Sequence, residues 1–252
     1  MLRDSLAKQG AWLFRWRSFL PLMLVPIALL AVYQSRGAIG SLGEALDDAW
    51  EAISIGISLV GALVRILAVG FVPGGTSGRN TRSQRAERLN TTGMYSVVRH
   101  PLYLGNFLIF LGFVFFLEVW WLPLVAALAF AVYYERIMMT EEAFLLSQYG
   151  AVYSEWATRT PAFFPVLSKW KNPDMPFSWR TVLRREYGSV YLLCVYFVVV
   201  EFASDLVLRH EALASWMQNE RFWLFAFGFG TLGYLSLRFL KKRTHLLDVP
   251  GR

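Results

Sequence analysis

The stretch "GMYSVVRHPLYLGNFLIFLGFVFF", Gly93 to Phe116, joins two kinds of sequence at a single proline. From Leu102 onward it is apolar, aromatic and free of charge, the pattern of a helix entering lipid. Just before it stand Arg99 and His100. Pro101 suits the first helical position, where its fixed φ is preorganised and its missing N–H wastes no donor. The amides of Leu102, Tyr103 and Leu104 are then expected to point toward the cytoplasm without helical partners. They add the positive end of the helix dipole, which favours an anion. Arg99 adds a fork of donors for a carboxylate or phosphate, and Gly105 lets another backbone or a ligand come close. The same residues also read as a basic interfacial anchor ahead of a helix-starting proline.

Outward from this stretch the chain keeps a membrane character. Of 252 residues, 56% are hydrophobic and 16% aromatic, where soluble domains sit near 45–50% apolar. Apolar runs of about 20 residues recur, and six candidate spans follow: Phe19–Tyr33, Ile53–Val72, Leu102–Leu117, Leu122–Met138, Gly188–Leu208 and Phe222–Leu240. The third and fourth, joined by "EVWWLP", form a tight hairpin with Trp120 and Trp121 at the interface. The fold class is therefore an all-α integral membrane protein, a bundle of about six transmembrane helices forming one domain over 1–252.

Charge then sets orientation. Lys and Arg crowd the segment before the first span, the loops after the second and fourth, and the tail. The opposite loops hold Arg36, Arg209 and Arg221, with Glu44, Asp47, Asp48 and Glu51 in the first. That is a positive-inside pattern with both termini cytoplasmic, in a style that suits a bacterial inner membrane. The net charge of +7 is thus topological and lipid-directed, and argues against a nucleic-acid partner. The segments 73–101 and 141–187 share the cytoplasmic face, so a site for a water-soluble cofactor is built from these two. Cys194 stands alone, which excludes an internal disulfide and a cysteine metal cluster. His100, His210 and His245 are far apart, and no metal site is expected. No GxGxxG or GxxxxGK[ST] occurs.

The second segment holds "TEEAFLLSQYGAVYSEWATRTPAFFPV", Thr140 to Val166. Glu141 and Glu142, adjacent carboxylates at a lipid boundary, need partners. Leu145, Tyr149, Val152, Tyr153 and Trp156 recur at helical spacing and predict an amphipathic cytoplasmic helix near 143–157. Plain packing accounts for that spacing equally well. Thr160-Pro161 and Pro165 end the helix.

"RHPLYLG" (99–105) and, after a hydrophobic hairpin, "EEAFLLSQYGAVYSEWATRTPAFFP" together resemble the isoprenylcysteine carboxyl methyltransferase and phospholipid methyltransferase superfamily. The pattern there is RHPxYxG followed by EExxLxxxFGxxYxxYxxxxPxFxP. Tyr149 replaces a usual phenylalanine and Trp156 a usual tyrosine, both aromatic exchanges. The resemblance covers residues 90–166 as a motif core and leaves 167–252 as a C-terminal extension with two further spans. It implies S-adenosylmethionine binding within a helical membrane bundle, without a Rossmann domain. Carried over by position, His100, Pro101, Tyr103, Leu104 and Gly105 line the cofactor pocket, and Glu141 and Glu142 complete it. Arg99 and Glu142 are the expected catalytic pair.

The acceptor is left open among carboxylate, phosphate and amine headgroups. An ionised oxygen needs no general base, whereas an amine must first lose a proton, which gives a carboxylate such as Glu142 more to do. Arg79, Arg82, Arg85 and Arg88 form a basic run that reads as a clamp for an anionic lipid headgroup or as ordinary positive-inside charge. Arg65, deep in the second span, needs a partner. Glu135, Glu141 or Glu142 are expected for it, and a substrate contact is the other possibility. Glu201 and Asp205 share a helix face and are expected to hold Arg209 or line a polar cavity. Two other functions fit the spans: an NADPH-dependent sterol-type reductase, and a non-catalytic lipid-binding protein. The doubled Glu141-Glu142 with "YGAVYSEW" favours the methyltransferase. Oligomeric state is open.

Overall fold

The computed structural model describes residues 10, 12–16, 25–34, 44–74 and 87–252, and every regular element among them is helical. In chain order these are α1 (Val25–Gln34), α2 (Glu44–Gly70), the short α3 (Met94–Val97), α4 (Pro101–Phe115) and α5 (Leu122–Tyr149). Then come α6 (Ala151–Arg159), a 3-10 turn (Leu167–Lys169), and α7 (Trp179–Ala203), which runs into a π-helical turn (Ser204–Leu208). α8 (Leu213–Asn219) and α9 (Arg221–Arg243) complete the chain.

Four helices are long and apolar enough to cross a membrane: Leu46–Gly70, Leu122–Tyr149, Trp179–Val207 and Arg221–Arg243. They answer to the second, fourth, fifth and sixth expected spans. The third, α4, has 15 residues, about 22 Å at the α-helical rise, short of a hydrocarbon core of about 30 Å. The first expected span is described only from Val25 onward. The protein is thus an all-α membrane protein, with four full-length candidate spans and the shorter apolar helix α4 among the described residues. Of the basic run, Arg79, Arg82 and Arg85 lie outside the described residues.

α4 sits at the centre and packs against α2, α5 and α7. Its seam with α2 is built from small residues. A Cβ on Gly61 would lie 2.6 Å from the carbonyl oxygen of Gly105, and one on Gly105 would lie 2.5 Å from Cγ of Arg65. Ser54 and Ser58 are fully buried on the same side of α2, and Ser58 donates to the carbonyl of Ile109 at 3.1 Å. Close backbone approach through small side chains is how membrane helices gain contact where lipid gives no hydrophobic drive. The space that Gly105 leaves is therefore filled by α2.

The fourth expected span continues well past Met138. α5 has 28 residues, about 42 Å, so its C-terminal turns project beyond the hydrocarbon and carry Glu141 and Glu142 with them. The predicted amphipathic helix over 143–157 is divided in two. Gly150 lies between α5 and α6 with φ 53° and ψ −123°, a conformation that only glycine adopts without strain. Of the apolar set assigned to that helix, Tyr153 is buried, Trp156 is half-buried and Val152 is exposed.

Candidate functional site

The Arg99-His100-Pro101 corner is held by hydrogen bonds from the second long segment between spans, 141–187. The Arg99 amide donates to the carbonyl of Pro161 at 2.8 Å, and Val166 donates to Val97 at 3.0 Å. The indole of Trp156 donates to the carbonyl of Tyr95 at 3.2 Å, and the Lys171 amide donates to Ser96 Oγ at 2.9 Å. Residues 93–99 are thereby stitched to 156–171, the two segments expected to share one face.

His100 caps α4, and its carbonyl accepts from both Tyr103 and Leu104 at 3.1 Å. This corrects one expectation, since two of the three first-turn amides already have a partner. The side chains carry the site instead. His100 Nε2 lies 3.0 Å from Glu142 Oε1, and Arg99 Nη1 lies 3.3 Å from the same oxygen. His100 Nδ1 faces Glu141 Oε2 at 3.7 Å. His100 is 5% exposed and Glu142 14%, while Glu141 at 35% keeps access to water. Burial disfavours a charged imidazole here, but the hydrogen bonds and charges of Glu141 and Glu142 outweigh it and hold the His100 pKa above the ordinary 6.5.

Below this cluster runs an aromatic column. The His100 and Tyr103 rings stack at 5.6 Å, Tyr103 meets Tyr134 edge-on at 5.0 Å, and Tyr134 stacks on Phe130 at 3.9 Å. Phe163, from beyond α6, reaches Phe107 at 5.6 Å. Pro101 is fully buried, and Leu104 packs with Ala68, Met94, Val97 and Val98. Leu104 and Gly105 therefore seat α4 against its neighbours, while His100, Tyr103, Glu141 and Glu142 gather around one place.

Two further residues stand at this site: Tyr153, whose helical spacing packing explained equally well, and Tyr134, which the sequence reading did not single out. Tyr153 is 4% exposed. Burial and then the charge of Glu142 push its hydroxyl pKa up, with Arg99 pulling the other way, so the group stays protonated. Tyr134, in α5, extends the aromatic column. The signal for Tyr153 was its place in the second motif, which helical spacing alone could not separate from packing.

Arg65 is not part of this cluster. Its Nε lies 2.9 Å from Glu186 Oε2 and its Nη2 3.1 Å from Glu186 Oε1, while Nη1 donates to Asn106 Oδ1. Its partner is Glu186 of α7, rather than Glu135, Glu141 or Glu142. Glu186 was missed because it lies just outside the expected fifth span, which begins in the structure at Trp179. Arg88 pairs with Asp174 at 3.6 Å, both exposed. At the other end of the bundle, Asp205 does hold Arg209, at 3.3 Å, and accepts from the Trp216 indole at 3.0 Å.

Residues 52–152 match the family model for phospholipid methyltransferases. Among curated proteins, the cobalt-zinc-cadmium resistance protein CzcN of Cupriavidus metallidurans is 46% identical over 84 residues, 33% of this chain and 38% of that protein. The nickel-cobalt-cadmium resistance protein NccN of Alcaligenes xylosoxydans xylosoxydans is 39% identical over 127 residues, 50% of this chain and 57% of that one. Protein-S-isoprenylcysteine O-methyltransferase of Schizosaccharomyces pombe is 33% identical over 79 residues, 31% of this chain and 34% of the enzyme. The chain thus spans between 34% and 57% of the length of these relatives. No solved structure matches. The match takes in most of α2, which the motif resemblance left out, together with α4 and the glutamate pair of α5. Residues 52–152 of this all-α membrane protein are thus similar to the phospholipid methyltransferase family.

Proposed function

We propose that this protein is an S-adenosylmethionine-dependent methyltransferase working at the cytoplasmic membrane face on a lipid or lipidated substrate. The observation that carries the reading is the convergence of Arg99 Nη1 and His100 Nε2 on one oxygen of Glu142. It joins the two family motifs from different helices. The S. pombe relative is named as a methyltransferase acting on isoprenylcysteine, and that chemistry is what we carry over. The names of CzcN and NccN concern metal resistance and specify no reaction.

The donor set fits the cofactor. Glu141 and Glu142 offer carboxylates for ribose hydroxyls and for a sulfonium, and the Tyr103–Tyr134 column offers aromatic faces for a cation. When bound, S-adenosylmethionine supplies an electrophilic methyl whose bonding pair to carbon stays with sulfur on transfer. In our reading His100, Pro101, Tyr103, Glu141 and Glu142 hold it, with Leu104 and Gly105 shaping the wall. Arg99 and Glu142 orient the acceptor, and His100, whose pKa the glutamates raise, fixes the Glu142 carboxylate. Excluding water from the aromatic column lowers the reorganisation the transfer demands.

Arg79, Arg82 and Arg85 are proposed to gather an anionic headgroup at the entrance. Arg65 is reassigned to holding α2, α4 and α7 together. We place both termini in the cytoplasm of a bacterial inner membrane, with 1–252 as a single transmembrane domain. The test is transfer of labelled methyl from S-adenosylmethionine into membrane lipid extract by the detergent-purified chain, beside NADPH oxidation. Label in a lipid or lipidated product supports the reading. NADPH turnover without label would move the chain to the reductases.

A further inference from the structure

An open cavity of about 210 Å³ lies where α7 begins and the chain returns after α9. Its lining includes Thr181, Arg184 and Arg185 of α7, Gly74 beyond α2, and Leu247 and Arg252 of the segment after α9. It shares no lining residue with the Arg99–His100–Glu142 cluster, and all of these but Gly74 lie outside the family-matching residues 52–152. The segment after α9 is pinned in place. Arg184 Nη1 meets Asp248 Oδ1 at 2.9 Å, the Gly74 amide donates to the carbonyl of Gly251 at 2.8 Å, and Lys241 Nζ donates to the carbonyl of Arg184 at 3.0 Å. Arg252 Nη1 donates to the carbonyl of Gly70 at 2.8 Å, and its Nη2 donates to that of Pro176. Leu247 is buried against this frame.

Three arginines therefore line one small space, and no acidic side chain lines it among the described residues. Arg184 shares Asp248 with His245. Arg252 spends two nitrogens on neutral carbonyls, which fix the group without cancelling its charge. Like charges gathered in this way repel, and an anion between them relieves the repulsion. The planar fork of arginine matches phosphate oxygens in particular, and basic pockets between membrane helices suit anionic headgroups. We propose that this cavity is a binding site for a phosphate group, held by Arg184, Arg185 and Arg252 and separate from the motif cluster. The inference goes beyond the proposed reaction and does not depend on it. The phosphate can belong to a lipid headgroup or arrive free from water. Arg185 is followed by Glu186, the partner of Arg65 in α2, so occupancy fixes the turn of α7 that also carries that ion pair.

The experiment uses the full chain in detergent and titrates inorganic phosphate, dioctanoyl phosphatidic acid and dioctanoyl phosphatidylcholine by calorimetry. Wild type is compared with Arg184→Gln, Arg252→Gln and, as a control for charge alone, Arg159→Gln, which removes an exposed cation of α6. Each variant is first confirmed as folded by its unfolding temperature. Arg184→Gln breaks an ion pair at the surface, so it keeps the test open if Arg252→Gln fails to fold. The expected result is saturable binding of a phosphate probe, weakened about tenfold in the folded cavity variants and unchanged in Arg159→Gln. Phosphatidic acid bound about tenfold or more tighter than inorganic phosphate assigns the site to a lipid headgroup, and equal affinities assign it to free phosphate. No saturable binding of either in wild type overturns the proposal. So does binding that the cavity variants keep, or that Arg159→Gln weakens as much. Phosphatidylcholine bound as tightly as phosphatidic acid would mean that the chains carry the binding, and displacement by S-adenosylhomocysteine would put the phosphate in the motif cluster. Either outcome overturns the site as well.

Discussion

His100 is held by two carboxylates against its own burial, and this makes its contribution depend on pH. Its folded pKa is raised above 6.5. The stability it supplies as a charged partner is therefore complete below that value and is lost as pH climbs through the raised one. The difference in unfolding temperature between wild type and His100→Asn should be largest in mildly acidic buffer and shrink as pH rises. A difference that grows with pH would mean the imidazole is neutral in the folded state. The single residues whose chemistry lies in a motif, Arg99, His100 and Glu142, were legible in the sequence because their spacing is specific. Tyr153 and Glu186 were not. Each needed a fact about which distant helix face it meets, and helical periodicity carries no such fact.

Among the elements, α4 is the one whose dimensions matter most. A helix of 15 residues cannot span the hydrocarbon alone, so it must be embraced by longer neighbours, and α2 does this through its Gly61–Gly105 seam. Gly61→Leu should force the two backbones apart, cost about 1–3 kcal/mol as overpacking, and lower the yield of folded protein. The same change at Gly228, where a Cβ meets nothing within 4 Å, should be silent in a thermal unfolding assay. Equal effects at both positions would refute the seam. The third and fourth spans were readable as a hairpin because apolar runs and Trp120-Trp121 mark their limits. The α5–α6 break was not, because a glycine inside a helical pattern looks the same whether the helix passes through it or turns there. Only its positive φ decides.

On the scale of the whole molecule, a buried ion pair adds to the packing that ties residues 52–152, the part matching the family model, to the C-terminal helices. Arg65 at 14% and Glu186 at 5% side-chain exposure bridge α2 and α7, and Asn106 of α4 accepts from the same guanidinium. Removing one partner of such a pair costs about 3–5 kcal/mol, while replacing both with apolar residues is often neutral. Glu186→Ala should therefore destabilise the bundle sharply in detergent unfolding, and the double change Arg65→Met, Glu186→Leu should recover most of the loss. A Glu186→Ala variant as stable as wild type would show that α7 is held by packing alone. The basic loops made the orientation argument possible, and the all-helical class followed from apolar runs. The length of the third span did not follow, since a run of apolar letters does not measure where a helix starts or ends.

The central claim is that His100 and Glu142 together form a cofactor site. Calorimetric titration of the purified chain with S-adenosylhomocysteine tests it most directly, in wild type, His100→Ala and Glu142→Ala. The account predicts saturable binding in wild type and a loss of more than about tenfold in each folded variant, the scale of a charge-assisted hydrogen bond. No binding in wild type, or wild-type affinity in both variants, would contradict it.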